Sequence, residues 1–130
     1  MAMTSEVSNG VSVTVESIFD MGQSNALQHD FVFAYCITLE NFNNFPVQLI
    51  SRHWYIYDSN GTNREVEGMG VIGKQPILQP GERFQYVSAC NLQTEMGKMW
   101  GSYKMQNRNN LTHFTISIPV FNLIATFKDN

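Results

Sequence analysis

The sequence is short of charge. Asp, Glu, Lys and Arg make up 15% of its 130 residues, where a globular chain usually carries about 25%. Its surface must therefore be finished largely with Asn, Gln, Ser and Thr. The eight Lys and Arg are scattered from Arg52 to Lys128, the net charge is −3 and the isoelectric point is about 5.5. That distribution lacks the basic footprint of a nucleic-acid binder and gives little electrostatic steering toward anions. Cysteine is scarce: the two, Cys36 and Cys90, have no C-x-x-C spacing, which removes the usual zinc motifs. Residues 1–10 show neither a basic n-region nor an apolar h-region, and no apolar run approaches the roughly 18 residues needed to cross a bilayer. These absences predict a cytoplasmic protein without membrane insertion, its thiols reduced. A Cys36–Cys90 disulfide is geometrically open but disfavoured in that compartment. No window of about 11 residues places apolar side chains at i, i+3, i+4 and i+7, so no substantial helix is expected.

What is present is alternation. Val11, Val13 and Val15 alternate with Ser12, Thr14 and Glu16, a period of two built on β-branched residues. Phe31, Phe33, Tyr35, Ile37 and Leu39 form the clearest such series, and Val32, Ala34 and Cys36 between them are also apolar. That pattern predicts a central strand covered on both faces or close to it. In the strand from Val47 to Tyr57, simple alternation puts Ile50, Trp54 and Ile56 on one face together with Arg52. A lone Arg among core residues needs either a carboxylate, for which Glu65 or Glu67 on the return strand qualifies, or a β-bulge near Ser51 that shifts the register. Asn60-Gly61 predicts a two-residue hairpin loop. Further strands are expected at Thr62 to Glu67, Pro76 to Leu78, Phe84 to Tyr86, Trp100 to Met105 and Leu111 to Val120. Turn signals recur about every 10 residues. The reading is an all-β sandwich of seven or eight mostly antiparallel strands, immunoglobulin-like or fibronectin type III-like, with Trp54 buried. Residues 1–10 are read as a flexible tail and 11–130 as one domain.

Several motifs invite a chemical reading. Gly68-Met69-Gly70-Val71-Ile72-Gly73 matches G-x-G-x-x-G, which in dinucleotide-binding folds opens a helix at the pyrophosphate. Pro76 and Pro80 follow too soon for a helix, and Gly73-Lys74 is followed by Gln75, so a phosphate-binding P-loop is also excluded. What remains is a loop needing positive φ or close backbone approach, with a pyrophosphate- or nucleotide-binding nest of Gly68, Gly70, Gly73 and Lys74, with Arg52 as a further candidate, as the functional alternative. Ser51-Arg52-His53-Trp54 offers Arg52 as an anion clamp and His53 as a base or ligand. The plainer reading is a strand with a buried Trp and an outward His. His29, His53 and His113 are far apart in sequence, so no metal centre is read from spacing. His53, Asp58, Glu65 and Glu67 could still offer ligands to Mg²⁺ or Co²⁺ across one hairpin. No G-x-S-x-G elbow is present. Met96, Met99 and Met105 around Trp100 read as core filling, or as an adaptable surface.

Val47 to Trp54, Glu65 to Pro76 and Pro80-Gly81-Glu82 resemble the ApaG family. The stretch Gly97-Lys98-Met99-Trp100-Gly101-Ser102-Tyr103-Lys104-Met105 is similar to that family's G-x-M-x-G-x-Y-x-M run, and Phe114 to Phe121 resembles its closing strand. Together these cover about residues 11 to 124. The sequence departs from the family where it has Val87-Ser88-Ala89 instead of Thr-Ser-Gly, and Glu95 where Pro usually follows the Thr. The resemblance implies an immunoglobulin-like or fibronectin-like sandwich, an association with cobalt and magnesium resistance or efflux, and, by analogy with related eukaryotic domains, protein interaction. The expected function is non-enzymatic binding of a protein partner, without a cofactor, by a monomer or by a homodimer formed through an edge strand.

Overall fold

Nine strands account for most of the chain in the computed structural model, which describes residues 2–126. They are β1 (Ala2–Ser8), β2 (Val11–Phe19), β3 (Phe31–Asn41), β4 (Val47–Asp58), β5 (Asn63–Met69), β6 (Ile77–Leu78), β7 (Arg83–Leu92), β8 (Met96–Asn107) and β9 (His113–Ile124). Two 3-10 turns, Met21–Gln23 and Ala26–Gln28, lie between β2 and β3. Sheet one has the order β1-β2-β3-β7. Sheet two has the order β5-β4-β8-β9, with β6 also on β4. Every pairing is antiparallel. The expected β-sandwich is therefore the architecture found.

The flexible tail expected over residues 1–10 is corrected. β1 pairs with β2 from Ala2↔Ser17 to Ser8↔Val11. Asn9 and Gly10 both have positive φ, 48° and 76°, as a type I′ hairpin requires. Two further bonds hold this hairpin to sheet two. The Ser117 N–H donates to Ser8 Oγ (2.8 Å), and Asn9 Nδ2 donates to the Thr115 carbonyl (2.7 Å).

Alternation sets the core. On β3, Phe31, Phe33, Tyr35, Ile37 and Leu39 are buried while Val32, Ala34 and Cys36 are half-buried. β3 is thus central in its sheet, buried on its inner face and half-buried on its outer one. Trp54 on β4 sits at the centre of the sandwich, its ring 5.5 Å from Tyr35 on β3, 5.9 Å from Phe121 on β9 and 6.5 Å from Tyr103 on β8. Burying a large apolar side chain of this kind contributes about 1.5–3 kcal/mol. Cys36 faces out of sheet one and Cys90 faces in, so the two thiols lie on opposite faces and are free.

The buried polar groups are satisfied at the two ends of the sandwich. Asn41 donates through Nδ2 to the Phe45 and Leu78 carbonyls (2.9 and 3.1 Å) and accepts from the Asn43 N–H (3.0 Å). Asp58 accepts from the Gln93 N–H (2.7 Å) and from the Thr94 hydroxyl. The β4–β5 connection is not the expected two-residue loop. Gly61 N–H donates to the Asp58 carbonyl and Asp58 N–H to that of Thr62 (both 2.9 Å). Gly61 alone in this turn has positive φ, 92°, which fits a three-residue loop closed by a glycine bulge.

Candidate functional site

The distinctive side chains gather on the β4–β5 arm, and a bulge positions them. The β4–β8 register shifts between Leu49 and Ser51, where a bulge was anticipated, but the shift turns Ile50 rather than Arg52 off the inner face. Val47 and Leu49 before the shift and Trp54 and Ile56 after it are buried, whereas Ile50 is not. Arg52 stays on the inner face, at its margin. Its partners are not the carboxylates anticipated: Nη1 donates to the carbonyls of Met69 (3.1 Å) and Gly70 (2.8 Å). Glu65 and Glu67 project from the other face of β5 and hold His53 instead. His53 Nε2 lies 2.7 Å from Glu65 and Nδ1 lies 3.2 Å from Glu67.

The glycine segment carries the chain from β5 to β6 along one edge of β4. The Gly70 N–H donates to the Ile50 carbonyl (2.8 Å), and Val71 and Lys74 exchange N–H···O bonds (2.8 and 2.9 Å). Between them Ile72 and Gly73 both have positive φ, 43° and 77°. The three motif glycines serve different needs. At Gly68 a Cβ would sit 2.7 Å from Arg52 Nη2, and at Gly70, with φ of 65°, it would collide with the Lys74 carbonyl at 2.2 Å. At Gly73 it would meet nothing within 4 Å, so only the backbone conformation asks for glycine. The N–H groups of Gly70, Val71 and Lys74 are spent inside the protein rather than turned together toward solvent. Lys74 itself is exposed.

The outer face of sheet two carries a row of rings. His53 stacks on Tyr55 (4.5 Å between centroids, 18° between planes) and Tyr55 stacks on Trp100 of β8 (5.8 Å, 14°). Lys98 Nζ lies 5.8 Å from the centroids of both Tyr57 and Trp100, within cation–π range. Beside this row is a depression of about 560 Å³, lined among others by Ser51, His53, Glu67, Ser102, Lys104 and His113. It unites His53 and His113, which the sequence separates widely; His29 stands elsewhere, at the end of a 3-10 turn. Among the described residues no three His, Cys, Asp or Glu side chains are grouped as a metal centre would need. Asp58 points inward, away from the hairpin set proposed with His53, Glu65 and Glu67. Met99 and Met105 are core residues, whereas Met96 is exposed.

A second recess, also about 560 Å³, opens between the sheets along β5 and β7, with Tyr35, Arg52, Trp54, Arg64, Tyr86 and Cys90 in its wall. Arg64 spans it, Nη2 donating to the Asn91 carbonyl (2.7 Å) and to Cys90 Sγ (3.3 Å). Burial pushes the Cys90 thiol up in pKa, an effect that Arg64 only partly offsets, so this sulfur is not poised as a thiolate nucleophile. Burial likewise raises Tyr35, Tyr86 and Tyr103. Tyr86 and Tyr103 share a hydroxyl hydrogen bond of 2.6 Å inside the core.

The outward row was readable in part. Once Trp54 and Ile56 face inward, His53, Tyr55 and Tyr57 must face outward. That Trp100 joins them depends on the β4–β8 register, which pairs Tyr55 with Trp100 and which no local signal fixes.

Fold and site together define an antiparallel β-sandwich protein with its polar and aromatic surface chemistry on the outer face of sheet two. The sequence pattern of the ApaG domain matches residues 21–107. Similar proteins include Protein ApaG of Methylobacillus flagellatus, 46% identical over 121 residues (93% of this chain, 94% of that one). Protein ApaG of Escherichia coli K12 is 42% identical over 113 residues (87% and 90%). A crystal structure of the putative ApaA protein from Bordetella pertussis superposes with a TM-score of 0.85 at 40% identity, covering 88% of this chain and 92% of that one. The chain belongs to the ApaG family.

Proposed function

We propose that this chain is a non-enzymatic binding module that engages another protein through the outer face of sheet two. The observation that carries the reading is the half-buried, outward-facing row His53–Tyr55–Trp100, flanked by Lys98 and Tyr57 and bordered by the polar depression at His113. Rigid aromatic side chains with a polar rim are the composition of interface hot spots. Glu65 and Glu67 clamp His53 from two sides and restrict its ring, so the row is preorganised. A direct role in metal binding would require His53 and these carboxylates to release one another. The association with cobalt and magnesium resistance is accordingly read as indirect, through the partner, and cytoplasmic.

The test uses the full chain, immobilised and exposed to a bacterial lysate, beside Trp100→Ala and a control, Val87→Ser, on the outer face of sheet one. The unaltered chain and Val87→Ser should retain the same stoichiometric protein partner. Trp100→Ala should weaken its affinity about 30-fold, as expected for a hot-spot Trp worth about 2 kcal/mol. Capture of no partner, or of one indifferent to Trp100→Ala, overturns the proposal.

A further inference from the structure

The recess between β5 and β7 has the features of a ligand site of its own. Its volume of about 560 Å³ falls within the range of about 300–1,000 Å³ typical of small-molecule pockets. Its walls combine flat rings (Tyr35, Trp54 and Tyr86) with apolar side chains at the mouth, where Val66 is 39% and Ile72 53% exposed. Both cations that line it, Arg52 and Arg64, lack a carboxylate within ion-pair distance among the described residues. Arg52 is half-buried and Arg64 exposed, so neither needs a carboxylate for its own solvation. Their partners are backbone carbonyls and a thiol.

Arg52 is held for a purpose that its present bonds do not use. A guanidinium has five N–H donors. Both bonds to carbonyls, at Met69 and Gly70, leave from Nη1. The opposite edge, with Nε–H and one Nη2–H side by side, is the fork that matches a carboxylate in bidentate fashion. The glycine motif builds this arrangement. Gly68 clears the space in which the guanidinium lies. The left-handed backbone at Gly70 belongs to the tight turn that presents the two anchoring carbonyls. Arg52 lines the recess beside Tyr35 and Tyr86 and also borders the depression next to His53.

We propose that the inter-sheet recess binds a small, flat, apolar carboxylate, its acid group on the Nε/Nη2 edge of Arg52 and its body against Tyr35, Trp54 and Tyr86. The rings of the outer-face row take no part in this site; Arg52 is the residue that borders both the recess and the depression beside that row. Carboxylate recognition by the fork and ring contact by the wall each account for part of the affinity, so a ligand lacking either half should bind poorly.

The experiment is an NMR titration of the ¹⁵N-labelled full chain with three probes: 2-naphthoate, its neutral amide 2-naphthamide, and acetate. With 2-naphthoate at millimolar concentration, the amides of Val66, Ile72, Ser88 and Cys90 should shift together with the Arg52 Nε resonance. 2-Naphthamide should bind at least about tenfold more weakly, having lost the charge-assisted pair, and acetate should shift none of these signals. Arg52→Lys keeps the charge but loses the fork, and should weaken 2-naphthoate about tenfold. Arg52→Lys failing to fold leaves the comparison of acid and amide on the unaltered chain decisive. Equal binding of acid and amide, or shifts confined to the His53–His113 depression, would overturn the proposal.

Discussion

Replacing one member of the Tyr86–Tyr103 pair should cost far more than replacing both costs per residue, and the two single changes should be unequal. The hydroxyls are 2.6 Å apart. Tyr103 is fully buried, at 0% exposure, while Tyr86 is 5% exposed and lines the open recess. Tyr86→Phe strands the Tyr103 hydroxyl where water cannot reach it, at a cost of about 2–3 kcal/mol. Tyr103→Phe leaves the Tyr86 hydroxyl at the recess wall, where it can turn to water, at about 1 kcal/mol. The double change removes both polar groups and leaves only a small gap, and should cost about 1 kcal/mol, giving a coupling of about 2–3 kcal/mol. Urea unfolding followed by tryptophan fluorescence measures all four corners of the cycle, with Trp54 close to Tyr103 as reporter. Additive single effects, or Tyr103→Phe as the more damaging, would refute the assignment of which hydroxyl is sealed.

The buried phenols also set the alkaline limit. Tyr35, Tyr86 and Tyr103 bind their protons more tightly in the folded chain than when unfolded. Their contribution is therefore intact below the ordinary phenol pKa near 10 and lost as pH rises through the folded values. Each should lower stability by up to about 1.4 kcal/mol per pH unit in that window; a urea midpoint unchanged between neutral pH and about pH 11 would contradict the burial. Gly70→Ala combines left-handed backbone with a collision against the Lys74 carbonyl and should cost about 3 kcal/mol or more. Gly73→Ala meets open space and should cost only about 1 kcal/mol, so equal melting temperatures for the two variants would count against the turn as described.

The strands legible in the sequence are those whose inward side chains are buried apolar residues at every second position, as in β3, where Phe31, Phe33, Tyr35, Ile37 and Leu39 all face the core. β1 was illegible by that measure because Met3, Ser5, Glu6 and Val7 are exposed. Backbone bonds and two side-chain bonds to β9 hold it. Its real signal was Asn9-Gly10, the residue pair of a two-residue hairpin. The same pair at Asn60-Gly61 forms a longer loop, since Asp58 is drawn inward by the Gln93 and Thr94 groups. The bulge near Ser51 was anticipated as a way to move Arg52 off the core face, but it turns Ile50 out and leaves Arg52 on the side of Trp54. The partners of Arg52 were not legible: which carbonyls meet it is decided by a turn about 18 residues further along, whose geometry no spacing rule encodes. The row at Trp100 and the convergence of His53 with His113 depend on pairings across sheet two, so local pattern could not supply them.

The two flanks of the sandwich are fastened differently. On one, Ser8, Asn9 and Ser17 bond directly to the backbone of β9. On the other, Arg64 reaches from β5 to the Asn91 carbonyl and Cys90 of β7, beside the bonds of Asp58 and Asn60 to Gln93. Position 64 therefore acts as one gauge among these contacts: a shorter residue there would let the mouth draw in or swing wide while the packed interior around Trp54 keeps its shape. The width of the mouth, and so the bulk of what enters, can change through one surface residue at little expense to the stability of the whole.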